Sequence, residues 1–249
     1  MGIVLPVAKG DFILIDYTTR IKETGEVFDT TSIEEAKKGG VFKEGSRYEQ
    51  MLVVVGEGWV LKGLDDSLVG LEVGKESSIE IPPSQGFGER DPSKIRMIPI
   101  TRFRKQGGGQ VYPGMQIEVD NKPAVIRTVG GGRVQVDFNP PLAGKTLVYN
   151  IVVKGVLTED LEKTRALVHR RMPVPTVEKF KVSSSGNEVT IEVPEEAFNL
   201  DGVQPAMRGL ASDLQRLLSA VEKVTFLEIF VKEKQMPAPS SPSPAPSAG

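Results

Sequence analysis

Residues Gly56–Arg90 read GEGWVLKGLDDSLVGLEVGKESSIEIPPSQGFGER, and this stretch decides how the rest of the chain is read. After Gly63, Leu64, Leu68 and Leu71 recur at i, i+4 and i+7, which puts them on one face of a short helix. Asp65 and Asp66 fall in its first turn, where the helix dipole favours anions, and Gly70 and Gly74 are placed to close it. Ile79 and Ile81 then alternate with Ser78 and Glu80 as a half-buried strand that Pro82-Pro83 ends. Gly86-Phe87-Gly88 holds one aromatic ring between two small residues. A helix pinned by a leucine face to a sheet, with an aromatic loop beside it, has the makings of an apolar pocket.

Composition narrows the function classes. The chain of 249 residues is 39% hydrophobic and 26% charged, ordinary for a globular protein of one large domain or two small ones. A formal charge of −2 argues against nucleic acid or an anionic membrane as partner. No apolar run approaches the roughly 18–20 residues that span a bilayer. The start, Met1 to Pro6, is too short and uncharged for a signal peptide, so a cytoplasmic protein is expected. With no cysteine, disulfides, thiolate metal sites and cysteine nucleophiles are excluded.

Outward from the opening stretch, Phe12 to Lys22 is an apolar, β-branched run, Glu23 to Glu26 a turn, and Val27 to Thr31 a second strand. Residues 32–47 are polar and read as a loop with one helical turn; Tyr48 to Val55 is again strand-like. Residues 89–104 are basic and proline-broken, and Lys105 to Gly109 is a flexible turn. Val111–Val119, Lys122–Val129 and Arg133–Phe138 make three strand patterns of a small all-β subdomain. Thr146 to Leu157 is a long apolar strand suited to a central place in the first sheet. Thr158 is a candidate N-cap for a helix running to His169-Arg170-Arg171. A hairpin at Val177–Val193, an amphipathic helix at Gln204–Glu222 and a strand at Val224–Val231 complete a separate α+β domain. Residues 234–249 are a Pro/Ser/Ala tail whose composition predicts disorder.

Chemistry-bearing motifs are few. Gly56-x-Gly58 with Gly63 is misplaced for a dinucleotide fingerprint, and Leu64-Asp65 follows where a phosphate loop needs Lys-Ser or Lys-Thr. His169 is the sole histidine and lacks partners for a metal site or a triad. Asp65 and Asp66 are adjacent on a helix and do not face each other, so a helix start explains them better than acid–base catalysis. The basic run at Arg102-Phe103-Arg104-Lys105 is isolated and reads as a solvated or peptide-contacting surface. No cofactor and no metal are expected. What remains is one apolar set, Tyr17, Phe28, Val60, Leu61, Leu64, Phe87 and Tyr149, with one acid, Asp29. On the residues alone such a set is more often plain core than a pocket.

Taken in order, Phe12–Tyr17, Gly25-x-Val27-Phe28-Asp29-Thr30-Thr31, Val60-Leu61-x-Gly63-Leu64, Gly70-x-x-x-Gly74, Gly86-Phe87-Gly88 and Asn139-Pro140-Pro141-Leu142-Ala143-Gly144-Lys145-Thr146-Leu147 resemble the FKBP-type peptidyl-prolyl isomerases. The inserted β subdomain is similar to the SlyD-like branch, in which an insert-in-flap domain interrupts the flap loop. The additional C-terminal domain is similar to its long archaeal-type form. The resemblance covers Gly10 to Leu157. It implies an α+β fold: an antiparallel half-barrel sheet wrapped on a short helix, an inserted small all-β subdomain, and a C-terminal α+β domain. The domains expected are 1–88 plus 139–157 for the isomerase, 89–138 for the insert, and 158–233 for the C-terminal domain.

The resemblance implies catalysis of X-Pro bond rotation in unfolded or partly folded proline-containing polypeptides, with Tyr17, Phe28, Asp29, Val60, Leu61, Leu64, Phe87 and Tyr149 forming the proline pocket. Asp29 then acts by electrostatics and positioning, or else is a structural anchor between strand and loop. Leu64 stands where the family has a pocket-floor tryptophan, and Phe87 where it has a flap tyrosine, so one substrate-facing hydroxyl is missing; the Leu61 backbone N–H is a candidate replacement. Pro140 stands where many SlyD-like members have histidine, and their His/Cys-rich tail is absent, so nickel handling does not transfer. The insert is expected to supply chaperone activity, with Met97, Ile98, Ile100 and Phe103 as peptide contacts or as its own core. Homodimerisation through the C-terminal domain is a further expectation. The alternative function is a peptide-binding chaperone on the same fold whose pocket has lost catalysis.

Overall fold

The computed structural model describes residues 6–105 and 111–230. The expected disordered tail and most of the Lys105–Gly109 turn lie outside them. The chain divides at Thr158/Glu159 into two compact units.

The first unit is built on β9 (Leu147–Leu157). Leu147, Tyr149, Ile151 and Val153 alternate inward along it, the period-2 pattern of a strand with one face buried. It lies between two antiparallel neighbours, β1 (Phe12–Ile21) and β4 (Glu76–Ile81). On β1's other side run β2 (Val27–Thr30) and β3 (Met51–Val54), which pair with its two halves in turn. The result is one five-stranded sheet. The long final strand therefore takes the central place its composition predicts. The loop at 32–47 contains α1 (Ile33–Lys38), with Ser32 Oγ accepting from Glu35 N–H as its cap.

α2 (Lys62–Leu68) fills the concave side of this sheet. Leu64 and Leu68 pack among Ile13, Ile15, Val53, Ile81 and Ile151, the leucine face expected from their spacing. Gly63 makes the close approach feasible. A Cβ there would stand 2.9 Å from Gln85 Cβ and 3.1 Å from Ile81 Cγ2, leaving no room for a larger residue.

The insert carries β5 (Ile95–Pro99), β6 (Gln116–Val119), β7 (Lys122–Gly130) and β8 (Arg133–Asp137) in an antiparallel sheet of order β5-β8-β7-β6. Asp120 and Asn121, both at positive φ, make the two-residue turn between β6 and β7. Two of these elements differ from the sequence expectation. Residues 89–104, read as proline-broken, contain β5 and a short helix, α3 (Ile100–Lys105), so the insert is not purely β. Pro99 is tolerated because it ends an edge strand.

The second unit has α4 (Asp160–Arg171), β10 (Lys181–Ser185), β11 (Glu188–Val193), α5 (Val203–Leu217) and β12 (Lys223–Glu228). β10 and β11 form the hairpin, and the α5 crossover returns β12 parallel to β11. Leu210 and Leu214 of α5 are buried, and Arg171 Nε of α4 donates to Asp213 Oδ2 at 2.7 Å. α4 begins one residue later than Thr158 as cap would give: Glu159 holds the cap position without a side-chain cap bond. His169 is half-buried in the last turn of α4 and not fully solvated.

Candidate active site

The Gly56/Gly58 loop settles first, because its backbone donors are already used. Asp65 is buried, and its two carboxylate oxygens accept from Gly56 N–H and Gly58 N–H at 2.9 Å each. Gly56 and Gly58 sit at φ +87° and +66°, which lets both N–H groups converge on one acid. Asp65 thus staples the turn before α2, and this loop is not an anion cradle.

On the concave face of β1, Tyr17 and Thr19 follow Ile15 with period two. Thr19 lies directly opposite Tyr149 on β9, so Tyr17 and Tyr149 are diagonal neighbours, their ring centroids 5.8 Å apart and tilted by 45°. β2 brings Asp29 alongside, and Tyr17 Oη donates to Asp29 Oδ2 at 2.7 Å. Asp29 Oδ1 accepts from Thr30 N–H at 2.9 Å, which fixes the carboxylate to its own strand. Thr31 Oγ1 accepts from Tyr17 N–H at 3.0 Å, and Thr30 Oγ1 donates to the Tyr17 carbonyl at 3.0 Å, locking β2 to β1. Burial, and then the Asp29 hydrogen bond and charge, push the Tyr17 phenol well above its ordinary range. Burial also raises the Tyr149 phenol, and the Asp29 charge adds to it. Both hydroxyls stay protonated at neutral pH, so Tyr17 is a fixed donor to Asp29.

Phe28, next to Asp29 on β2, points outward and is 40% exposed. Phe87, in the loop after β4, is 39% exposed and meets Phe28 edge-to-face with centroids 5.9 Å apart. The loop that carries Phe87 is pinned by Gly86 N–H and Gly88 N–H, which both donate to the Pro83 carbonyl, at 3.1 and 2.8 Å. Val60 and Leu61, just before α2, are half-buried against the main core; Leu61 stands at the helix cap, ahead of the helix's own hydrogen-bond ladder. Leu64 differs from its expected place on the pocket surface. At 1% exposure it is closed over and belongs to the core beneath. The sequence-predicted set therefore splits into an accessible tier (Phe28, Asp29, Phe87), an intermediate tier (Tyr17, Val60, Leu61) and a supporting tier (Leu64, Tyr149).

Of the four insert residues named as contacts, Ile98 and Phe103 lie in the insert's core with Ile126, Val134 and Val136. They take the alternative reading, because a β8-paired inward position and a helix face pressed on the sheet leave them no surface. Ile100 is half-buried against that core and Met97 is 52% exposed. A cleft of about 760 Å³ opens elsewhere on the insert, lined by Ile117, Pro123, Val125, Phe138, Pro140 and neighbours. Reading the sequence missed this cleft, and it missed Asp137 and Asn139, which join the insert to the half-barrel; the only local sign was a polar Asp-x-Asn ahead of Pro140-Pro141. Among the described residues, no cluster of three or more His, Asp or Glu side chains is placed to hold a metal ion. Among them also, no helix is long and apolar enough to cross a membrane.

An antiparallel half-barrel closed on one short helix, with an aromatic face around a Tyr–Asp pair and a sheet inserted in the flap loop, is the architecture of an FKBP-type isomerase. Comparison with known proteins agrees. The chain is 35% identical over 156 residues to a short-type peptidyl-prolyl cis-trans isomerase of Methanocaldococcus jannaschii, spanning 63% of this chain and 98% of that protein. It is 30% identical over 176 residues to the FKBP-type peptidyl-prolyl cis-trans isomerase SlyD of Treponema pallidum, spanning 67% and 87%. It is 27% identical over 150 residues to an FKBP-type 16 kDa isomerase of Escherichia coli K12, spanning 59% and 91%. Residues 96–142 match the FKBP26 IF domain family and residues 160–231 the FKBP26 C-terminal family. The chain belongs to the FKBP-type peptidyl-prolyl cis-trans isomerases, of the SlyD-like kind. It is a peptidyl-prolyl cis-trans isomerase.

Proposed function

We propose that the face formed by Phe28, Asp29, Phe87, Tyr17, Val60 and Leu61, resting on Leu64 and Tyr149, is where this isomerase turns X-Pro bonds in unfolded or partly folded polypeptides. The observation that carries the reading is the edge-to-face pair of exposed phenylalanines beside a carboxylate held by the Tyr17 hydroxyl. Exposed rings held this rigidly offer a proline two walls at little entropic cost. Rotation about X-Pro crosses roughly 18–20 kcal/mol because twisting destroys amide resonance. The planar amide is the more polar form, so removing it from water into an aromatic site raises it relative to the twisted state. No covalent or proton-transfer step is required. Asp29 shapes the local field and fixes Tyr17; the substrate meets the Phe87 ring without a hydroxyl. An isomerisation assay on a short Ala-Leu-Pro-Phe peptide tests this. Activity lost in Phe28→Ala at unchanged fold supports the site, and wild-type turnover in that variant sinks it.

The insert, on this proposal, supplies a holdase surface that holds extended chain near the site. Support comes from the apolar cleft at Ile117, Pro123, Phe138 and Pro140 and from β5 and β6, the sheet's two edge strands. If replacing residues 97–134 by a two-glycine turn left suppression of client aggregation intact, this role would fall. In the second unit, edge strand β12 is followed by exposed Ile229 and Phe230, which suit pairing with a second copy; sedimentation with and without residues 159–249 checks it. A cytoplasmic location completes the proposal, to be tested by cell fractionation.

A further inference from the structure

The two chain crossings between half-barrel and insert meet at one carboxylate. Asp137 ends β8 with its side chain 2% exposed. Its Oδ2 accepts from Arg90, on the outgoing crossing, and from Arg127 Nε on β7 at 3.0 Å. Its Oδ1 accepts from Asn139 N–H at 2.9 Å and Asn139 Nδ2 at 2.8 Å. Asn139 in turn clasps the backbone of Asp91: Oδ1 accepts from its N–H and Nδ2 donates to its carbonyl, both at 2.9 Å. Burial alone would raise the Asp137 carboxyl, but the Asn139 and arginine donors outweigh it and hold it below the ordinary carboxylate range. A buried acid is stable only when each lone pair is met, and here all the donors come from the crossings and β7.

The outgoing crossing is also the continuation of the loop that carries Phe87. Gly88, the next residue, accepts at its carbonyl from Gly144 N–H at 2.9 Å. Gly144, at φ +74°, packs so closely on Arg90 that a Cβ on it would stand 3.1 Å from Arg90 Cβ. Segment 88–90 is thus gripped by the 144 loop on one side and by Asp137 on the other.

We propose that Asp137 is a positioning residue for the isomerase reaction: through Arg90 it fixes segment 88–90, and so sets the Phe87 ring against Phe28. The inference rests on the reading of Phe28 and Phe87 as the proline site. Without the Arg90 arm, the loop keeps its bonds to Pro83 and the Gly144 bond to Gly88 but loses the side-chain tether to Asp137, and the ring samples positions that no longer face Phe28.

The test is a double-mutant cycle in the full chain, reading kcat/KM for Ala-Leu-Pro-Phe in wild type, Arg90→Ala, Phe87→Ala and the double variant. Arg90→Ala is expected to lower turnover about 5- to 10-fold in the wild-type background and less than about 2-fold when Phe87 is already alanine. Arg90→Lys, which keeps one donor, recovers part of the loss. Arg127→Ala loosens the same acid only on the insert side and changes turnover less than about 2-fold. Asp137→Asn reproduces the non-additivity where it folds; the Arg90 series stands without it. Equal losses from Arg90→Ala in both backgrounds, or no loss in either, would overturn the positioning role alone. Wild-type turnover in Phe87→Ala would overturn it together with the site reading.

Discussion

The two sheets of the first unit differ in how they use phenylalanines borne outside their strands' buried faces: Phe28 and Phe87 stay at the surface of the half-barrel, and Phe103 closes the core of the insert. The half-barrel buries Phe12 and Tyr149 with its aliphatic residues but leaves Phe28 and Phe87 outside, braced on each other. The insert draws its helix-borne Phe103 inward, to 6% exposure, and leaves Met97 on the surface. A small four-stranded sheet has little apolar volume to spare, so Phe103 is needed to close its core. The half-barrel has a helix for that purpose and can leave rings at its surface. On the function proposed above, the difference separates two kinds of recognition: aromatic walls for one proline ring, and an apolar cleft with strand edges for extended chain.

The comparison breaks most clearly under paired alanine substitutions. Phe28→Ala should lower kcat/KM for a short prolyl peptide by about 10- to 100-fold, one to two multiples of the 1.4 kcal/mol that each tenfold step represents. Its melting temperature should move little, because the ring is 40% exposed and lies outside the buried core. Phe103→Ala should do the reverse, costing the insert about 3–5 kcal/mol while peptide turnover holds. Hydrogen exchange of the insert amides alongside the peptide assay reads both; parallel losses in both readouts for both variants would erase the distinction.

Replacing residues 97–134 by a two-glycine turn keeps Arg90, Asp137 and Asn139 in place. Peptide turnover should stay within about 2-fold, since the Arg90–Asp137 contact proposed to brace Phe87 is kept and none of residues 97–134 is placed in the proposed site. Catalysed refolding of a proline-limited protein should fall well below wild type, and a refolding rate that is unchanged would remove the insert from client handling.

A smaller effect concerns pH. Tyr17 titrates above its ordinary value of 10.0 in the folded chain because burial, and then Asp29, favours the neutral phenol. The folded state therefore keeps a proton that the unfolded chain releases above pH 10, so this contribution to stability is complete below that point and declines as pH rises. Thermal melts between pH 8 and 11 should show a shallower alkaline loss in Tyr17→Phe than in wild type. The slope does not vanish, because Tyr149 is raised as well. The smallest change is expected from Met97→Ser, which should leave stability within about 0.5 kcal/mol and peptide turnover unaltered.

What the sequence disclosed follows from the range of the forces involved. The leucine spacing of α2 and the alternation along β9 are local periodicities, and both elements appear where those patterns put them. Phe28, Asp29 and Phe87 come from motifs whose order along the chain carries their meaning, and the structure brings them together. Depth was not legible. Whether Leu64 lines a site or lies beneath it depends on how β4 and the 83–88 loop close over α2, which no periodicity encodes. Prolines misled in 89–104, because an edge strand tolerates Pro99 where a central strand would not. Ile98 and Phe103 had two readings, and only the pairing of β5 with β8 decides between them. Asp65 looked like a helix-dipole residue, whereas its partners are two glycine N–H groups behind it in the chain. Asp137 and Asn139 were out of reach, since their partners at Arg90 and Asp91 are 47 and 48 residues away.

The threading of β9 has a kinetic meaning. It is the strand on which β1 and β4 both depend, yet it leaves the ribosome last in the first unit, after the whole insert. Joining β4 to β9 directly would require closing a long loop at an entropic cost that grows with its length. The insert's hairpins are short-range and form on the faster timescale of local pairing. Once they have formed, the Arg90–Asp137 and Asp91–Asn139 contacts hold the two crossings side by side, and the loop left to close shrinks to segments 82–91 and 139–146. An element proposed above to handle other chains would thereby serve this one first, as the splint on which its own central strand is delivered.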